Sequence, residues 1–119
     1  MGVIVERDQK LNAAINAGKV MDVFRDVYHP DVQMWENDQA NPPGLDANFE
    51  REKQFFGSIT EFRGGGVTKS AVDEAAGLSF AEMWFDCTLA NGHVMKMTEV
   101  AVRQWKDGKI VKEQFFYKP

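Results

Sequence analysis

The side chains best suited to chemistry in this sequence are carboxylates that lie among aromatic residues. Glu36 ends a short predicted strand directly after Met34-Trp35, and Asp38 follows it in a loop. Glu99 lies in the long C-terminal stretch that carries the clearest strand signals. Apolar surroundings raise the pKa of a carboxyl group toward neutral pH, where it can exchange protons. Glu36, Glu99 and Asp38 are therefore the candidate catalytic residues, and for each the alternative is a solvated surface acid.

The composition limits the class of protein. A chain of 119 residues is expected to form one domain. Fourteen basic and eighteen acidic residues give a net charge of −4, which argues against a nucleic-acid partner. Cys87 is the one cysteine, so no internal disulfide can form and a cytoplasmic location is expected. The charged N-terminus and the lack of a long apolar run predict neither a signal peptide nor a membrane span.

No metal or cofactor is expected from the residue types and their spacing. His29 and His93 lack the spacing of a ligand pair, and one cysteine cannot supply a zinc site. The run Gly64-Gly65-Gly66 lacks the strand-to-helix context of a phosphate loop. A bend or bulge in a strand is the better interpretation of these glycines.

The order of elements predicts an α+β fold. Apolar spacing predicts helices over 3–17, 19–27 and 45–59, with a short strand over 32–36 and a loop over 37–44 between them. Strands are expected over 60–75 and 77–90, and the final stretch 95–118 reads as two further strands. Helices that precede an antiparallel sheet are expected to cover one of its faces.

Two turns decide which side chains share a face of this sheet. If Asn91-Gly92 forms a two-residue turn, Trp84 pairs with Glu99. A three-residue turn ending at Gly108 would place Glu113 on the same face as Glu99, whereas a two-residue turn would move it away. The preferred register gives a mixed face that carries Phe80, Glu82, Trp84, Asp86, Met97, Glu99, Arg103, Glu113, Phe115 and Tyr117. Residues alone leave open whether this face lines a cup or is covered by a second copy of the chain.

The whole chain resembles the SnoaL-like branch of the nuclear transport factor 2-like superfamily. The resemblance is carried by the element order, by the step Tyr28-His29-Pro30-Asp31 into a strand that ends at Trp35-Glu36, and by the last hairpin, RQWKDGKIVKEQFFY. It implies one domain over 1–119, built as a curved antiparallel sheet that forms a cone closed by three N-terminal helices. It also implies a homodimer through the outer sheet face, with the mixed face turned into the cone.

The ketosteroid isomerases of this superfamily allow a comparison residue by residue. Glu36 falls where these enzymes keep their carboxylate base. Leu11 and Ala101 fall where they keep a tyrosine and a protonated acid that stabilise the oxyanion. Because both donors are absent, the resemblance does not imply steroid isomerase activity.

Two hypotheses of function follow. One is an isomerase, cyclase or lyase that uses a pocket carboxylate for proton transfer on an apolar small molecule. The other is a non-catalytic ligand-binding or dimerisation module. In either case the expected ligand-binding residues are Tyr28, Trp35, Phe49, Glu82, Trp84, Met97, Glu113, Phe115 and Tyr117, and Arg103 could neutralise Glu113.

Overall fold

The computed structural model describes residues 2–118 and has the predicted α+β architecture. Its elements are α1 (Val3–Asn16), α2 (Val20–Val27), β1 (Tyr28–Glu36), β2 (Gln39–Ala40), α3 (Leu45–Gly57), β3 (Ile59–Asp73), β4 (Leu78–Leu89), β5 (Val94–Lys106) and β6 (Lys109–Phe116). The six strands form one sheet in the order β2-β1-β6-β5-β4-β3, which does not close into a barrel. The pair β1–β6 is parallel and the other neighbours are antiparallel, so the sheet is mixed.

The three helices lie against one face of this sheet, called the inner face below. α1 and α2 are separated at Gly18, whose φ of +70° suits glycine better than any other residue. The main core forms where α1, α2 and β1 meet, and it includes Leu11, Phe24, Val27 and Val32. No helix within residues 2–118 is long and apolar enough to cross a membrane.

The segment between β1 and α3 folds back on β1 instead of extending away from it. Within it, the amide of Asn41 donates to the Met34 carbonyl over 2.9 Å, and the amide of Gly44 donates to the Val32 carbonyl over 2.9 Å. At its other end the amide of Asn37 donates to a carbonyl of β6, that of Phe115, over 2.8 Å. These bonds hold residues 37–44, called the wall segment below, against the first strand.

The turn between β5 and β6 has two residues, Asp107 and Gly108, where the preferred prediction had three. Beyond the turn, Glu113 and Phe115 nevertheless lie on the face that the longer turn predicted for them. The register shifts after the pair Trp105–Ile110, so that one extra residue, Val111, is left unpaired on β6. This bulge restores the alternation, and Glu113 lies opposite Arg103 on the inner face.

The prediction for the turn between β4 and β5 is wrong by one residue. The strands close at the pair Thr88–Val94, and the amide of Ala90 bonds to the Ser58 carbonyl rather than across the hairpin. As a result Met83, not Trp84, lies opposite Glu99. Because side chains alternate along a strand, this shift of one residue moves the predicted β4 residues to the other face.

The outer face of β4 therefore carries Phe80, Glu82, Trp84 and Asp86. The inner face of β4 and β5 carries Ser79, Ala81, Met83, Phe85, Cys87, Met95, Met97, Glu99, Ala101, Arg103 and Trp105. The inner face is thus more apolar than the sequence suggested, and its charged residues come from β5, β6 and the helices.

Candidate active site: a cluster of carboxylates on the inner face

Four glutamates from four elements lie close enough at the inner face to act on one another through their charges. Glu36 ends β1, Glu52 lies on α3, Glu99 lies on β5 and Glu113 lies on β6. Burial and mutual repulsion act on Glu36, Glu52 and Glu99, and raise the pKa of each. Groups that repel one another in a low-dielectric region lose protons one at a time, so the cluster can hold a proton at neutral pH.

Glu99 is the member of the cluster on which burial and repulsion act without an opposing cation. It lies on β5 between Met97 and Ala101 on the same face, with Met83 opposite. Burial, followed by the charges of the other three glutamates, raises the pKa of Glu99 to about 8. At pH 7 this side chain is mainly a neutral carboxylic acid, which can donate a hydrogen bond or a proton.

Glu36 has a more balanced environment. Burial raises its pKa, while the positive charge of Arg51 and a hydrogen bond from Tyr117 lower it. Glu36 pairs with Phe115 across β1 and β6, so its side chain enters the same region as that of Glu99. Two carboxyl groups in one region with different proton affinities are the usual arrangement of an acid and a base.

Glu113 is committed to structural contacts. Arg103 donates from Nε to its Oε2 over 2.9 Å, and the Tyr28 hydroxyl donates to its Oε1 over 2.5 Å. Arg103 and Glu113 are almost completely inaccessible to solvent. Glu113 is therefore the counter-ion of Arg103, which is the alternative that the sequence left open. Burial raises the pKa of Tyr28 well above its ordinary value.

Arg103 also joins the sheet to α1. Its Nη1 donates to Asp8 Oδ1 over 2.8 Å and to Asn12 Oδ1 over 2.7 Å. Ser79 donates to Asp8 over 2.8 Å and accepts from the Trp105 indole over 2.8 Å. Within residues 2–118, Arg103 Nη2 is a buried nitrogen with no hydrogen-bond partner. These side chains form a buried polar connection between helix and sheet, called the Arg103 network below. Its members are Asp8, Asn12, Tyr28, Ser79, Arg103, Trp105 and Glu113.

Three predicted ligand residues lie on the outer face of the sheet. Glu82 and Trp84 are on the outer face because of the register at the β4–β5 turn, and the Trp84 ring packs over Gly64. Trp35 alternates with the buried Met34 and also faces outward, where the Lys112 amine lies 5.1 Å from its ring centre. The expectation that these side chains line the cone is wrong.

Asp38 and Phe49 are also remote from the carboxylates. Asp38 is exposed in the turn between β1 and β2. Phe49 packs edge-on against Phe24 of α2 at 5.7 Å, and the Arg25 guanidinium lies 4.2 Å from its ring centre. Phe49 thus belongs to the contact between two helices.

The remaining predicted residues do lie near the carboxylates. Met97 faces Phe85 across the inner face, and the Phe85 ring meets that of Phe55 from α3 at 6.4 Å. Where β5 extends beyond the end of β6, a surface depression of about 230 Å³ is lined by Met97 and Tyr117. A second depression, of about 220 Å³, lies on the sheet around Phe80 and is unrelated to the cluster. No group of residues within 2–118 has the composition and spacing to bind a metal ion.

Sequence reasoning missed Glu52, Asp8 and Asn12 because it followed only apolar residues along the helices. Asp8 and Asn12 lie at helical spacing from Leu11 and Ile15, and Glu52 lies at helical spacing from Phe49 and Phe56. A polar residue within an apolar helical stripe must be buried and paired, so the stripe itself was the usable signal.

Three helices packed on one face of a six-stranded mixed sheet make this an α+β protein with a cystatin-like fold. The family model of the SnoaL-like domain matches residues 4–117, and the chain belongs to this family. Among curated proteins, no sequence shows significant similarity.

Solved structures confirm the fold. A protein from Mesorhizobium loti, described as a "putative SnoaL-like polyketide cyclase", is 22% identical with a TM-score of 0.85, over 98% of this chain and 100% of that one. A Xanthomonas campestris protein, described as a "putative polyketide cyclase", is 22% identical with a TM-score of 0.73, over 98% and 90%. A second X. campestris protein, of unknown function and with a cystatin-like fold, is 16% identical with a TM-score of 0.80, over 98% and 91%.

Proposed function

We propose that this SnoaL-like protein is a proton-transfer enzyme, an isomerase, cyclase or lyase, that acts on an apolar carbonyl compound. Glu36 is the base that removes the proton, and Glu99 is the neutral acid that donates a hydrogen bond to the carbonyl oxygen. The observation that carries the proposal is that Glu36 and Glu99 lie on the same face of the sheet in unlike surroundings: burial and repulsion raise the pKa of Glu99 to about 8, whereas the charge of Arg51 opposes the rise in the pKa of Glu36.

Glu99 supplies what the comparison with ketosteroid isomerases lacked. Those enzymes place a protonated acid where Ala101 stands here, and Ala101 is fully buried. Glu99 lies two residues earlier on β5 and on the same face, so its carboxyl group enters the same region from a neighbouring position. A protonated carboxyl donor can stabilise the negative charge that forms when a carbonyl compound loses an α-proton.

The alternative is a non-catalytic binding module. It is favoured by Leu11, which is fully buried in the core where the isomerases have a tyrosine donor. Under this alternative the inner face would bind a flat apolar molecule, and the neutral Glu99 would only hydrogen-bond to it.

The test uses 2-tetralone, an apolar cyclic ketone with an acidic α-hydrogen, as the probe. Exchange of this hydrogen in heavy water, followed by NMR, measures proton abstraction directly. We expect the protein to accelerate the exchange and Glu36→Gln to slow it by about 100-fold or more, since a positioned base contributes about 10²–10⁴. Glu99→Gln is expected to lower the rate as well, because an amide is a weaker donor than a carboxylic acid.

Asp38→Asn is the matched control, because it removes a carboxylate of the same segment that lies outside the cluster. It is expected to leave the exchange rate unchanged. The proposal is abandoned if the Glu36→Gln and Glu99→Gln variants exchange the probe as fast as wild type. Binding of 2-naphthol without any exchange of 2-tetralone would establish the binding module instead.

We also propose that the chain forms a homodimer through the outer face of the sheet. Phe80, Trp84, Val100 and Phe116 lie on this face and retain 37–44% of their surface exposed. An apolar patch on neighbouring strands is the usual mark of a protein contact, and burial against a second copy would remove it from water.

A further inference from the structure

The buried amide of Asn48 joins the wall segment to the sheet and to α3. Asn48 is completely buried on α3. Its Nδ2 lies 2.7 Å from the Gly44 carbonyl oxygen, 3.2 Å from that of Pro42 and 3.3 Å from that of Val32. Its Oδ1 accepts a hydrogen bond from Arg51 Nη1, one turn further along the helix. The orientation of the amide is thus fixed from one side by three carbonyl groups and from the other by a guanidinium.

Arg51 is held at three points. Besides its bond to Asn48, its Nη2 lies 3.1 Å from Glu52 Oε1 and 3.6 Å from the sulfur of Met34. Met34 is two residues before Glu36 on β1, so both side chains project from the same face. The guanidinium therefore lies over the strand that carries Glu36.

We propose that Arg51 is a positioning residue of the candidate site: held over β1 by Asn48, its guanidinium charge acts on Glu36 and not on Glu99, so that Glu36 serves as the base and Glu99 as the acid. This proposal rests on the proposed function only where it assigns Glu36 as the base and Glu99 as the acid. Its electrostatic content, that Arg51 makes Glu36 and Glu99 unequal, does not depend on any substrate.

The charges around Glu36 support this asymmetry. From α3 it faces Arg51 and Glu52, from β5 Glu99, from β6 Glu113, and from the C-terminal segment Tyr117. Arg51 is the cation that lowers the pKa of Glu36 and of Glu52, whereas the groups that shift the pKa of Glu99 are all acids. Arg103, which is completely buried, is paired with Asp8 and Glu113.

The experiment is an NMR titration of the protein with ¹³C-labelled glutamate side chains, without substrate. In the Arg51→Met variant the titration midpoint of Glu36 is expected to rise by about one pH unit or more, a tenfold change in proton affinity. Arg51→Lys keeps the charge but loses the bond to Asn48, so an intermediate midpoint is expected. Lys53→Met is the matched control, since it removes one positive charge from an exposed position of the same helix and is expected to leave the midpoint unchanged.

Asn48→Ala tests the second half of the proposal. With the guanidinium released, the midpoint of Glu36 is expected to rise by less than in Arg51→Met, and backbone amide spectra report whether α3 and the wall segment stay folded. An Arg51→Met variant that is folded and titrates Glu36 as wild type does would refute the role of Arg51. If Glu36 responds as expected but neither Glu36→Gln nor Glu99→Gln affects 2-tetralone exchange, the proposed function fails and the electrostatic role of Arg51 stands.

Discussion

At the scale of single residues, the main feature is a carboxyl group kept neutral by its surroundings. Glu99 is flanked on its own face by Met97 and Ala101 and faces Met83, none of which can hydrogen-bond strongly to a carboxylate. Its charged neighbours are other glutamates, so both burial and repulsion favour the protonated form. This neutrality makes Glu99 useful as a donor and makes it a source of pH-dependent stability.

Replacement of Glu99 by glutamine is expected to remove a pH-dependent cost in stability. The pKa of Glu99 is raised in the folded protein to about 8 from a reference of 4.5, so the folded state holds a proton that the unfolded state releases between these values. Stability contributed by this group is thus lost as the pH rises through that window. Glu99→Gln, which stays neutral, is expected to be more stable than wild type near pH 8, by at most about 5 kcal/mol.

Urea denaturation at a series of pH values between 5 and 9 measures this effect. The difference between Glu99→Gln and wild type is expected to be small near pH 5 and to grow until about pH 8. Glu50→Gln, at an exposed position of α3, is the control and is expected to follow the wild-type curve. Parallel curves for Glu99→Gln and wild type would mean that Glu99 is solvated in the folded protein.

At the scale of elements, the Arg103 network connects α1 to four strands, β1, β4, β5 and β6. Two acids, Asp8 and Glu113, surround one guanidinium, and all three are buried. Pairs of buried charges gain little over apolar packing, yet the loss of one member leaves the others uncompensated. The network therefore stabilises the docking of α1 only when it is complete.

Arg103→Met is expected to destabilise the protein by about 3–5 kcal/mol, because Asp8 and Glu113 then remain buried without a counter-ion. Urea denaturation followed by near-ultraviolet circular dichroism gives the change. A variant that also carries Asp8→Asn and Glu113→Gln is expected to recover part of the loss, since no buried charge is left. Equal losses in the single and triple variants would show that the packing of Arg103, and not charge balance, determines its contribution.

The sequence predicted the order and type of the elements better than the faces of the strands. Apolar spacing and the glycine after α1 were local signals, and the structure follows them closely. The faces depended on two turns: the first makes a contact remote in sequence, and the second is offset by a bulge that no turn signal indicates. Ser58 accepts from Ala90 and displaces the two-residue hairpin at Asn91-Gly92, while the bulge at Val111 compensates for the short turn at Gly108.

The candidate site was predictable in part for the same reason. Glu36 was found at the end of a strand pattern, whereas Glu99 was chosen on a register that paired it with Trp84, and the structure has Met83 at that position. Glu52 was missed because its environment is created by three other elements, and Trp84 was misplaced by one step in register. Burial by distant elements is what gives these acids their chemistry, and no local pattern records it.

At the scale of the whole molecule, the fold leaves two surfaces to explain. The helices pack on the inner face, and a depression of about 230 Å³ lined by Met95, Met97 and Tyr117 opens at the end of β5. Within residues 2–118 no helix packs on the outer face, which presents four large apolar side chains from β4, β5 and β6. Since the two faces belong to the same strands, a partner on the outer face would also stiffen the strands that hold the carboxylates.

Disruption of the outer face is therefore expected to separate a dimer without affecting the fold. Trp84→Lys and Val100→Lys each place a charge in the apolar patch, and sedimentation equilibrium is expected to show a shift from dimer toward monomer. Phe62→Lys is the control, because Phe62 is also exposed but lies on the edge strand β3, opposite the inward-facing Cys87. Trp84→Lys also removes the packing of the Trp84 ring on Gly64, so Val100→Lys tests the apolar patch without that second change. A wild-type protein that sediments as a monomer throughout the micromolar range would contradict the dimer, and the apolar patch would then require a different partner.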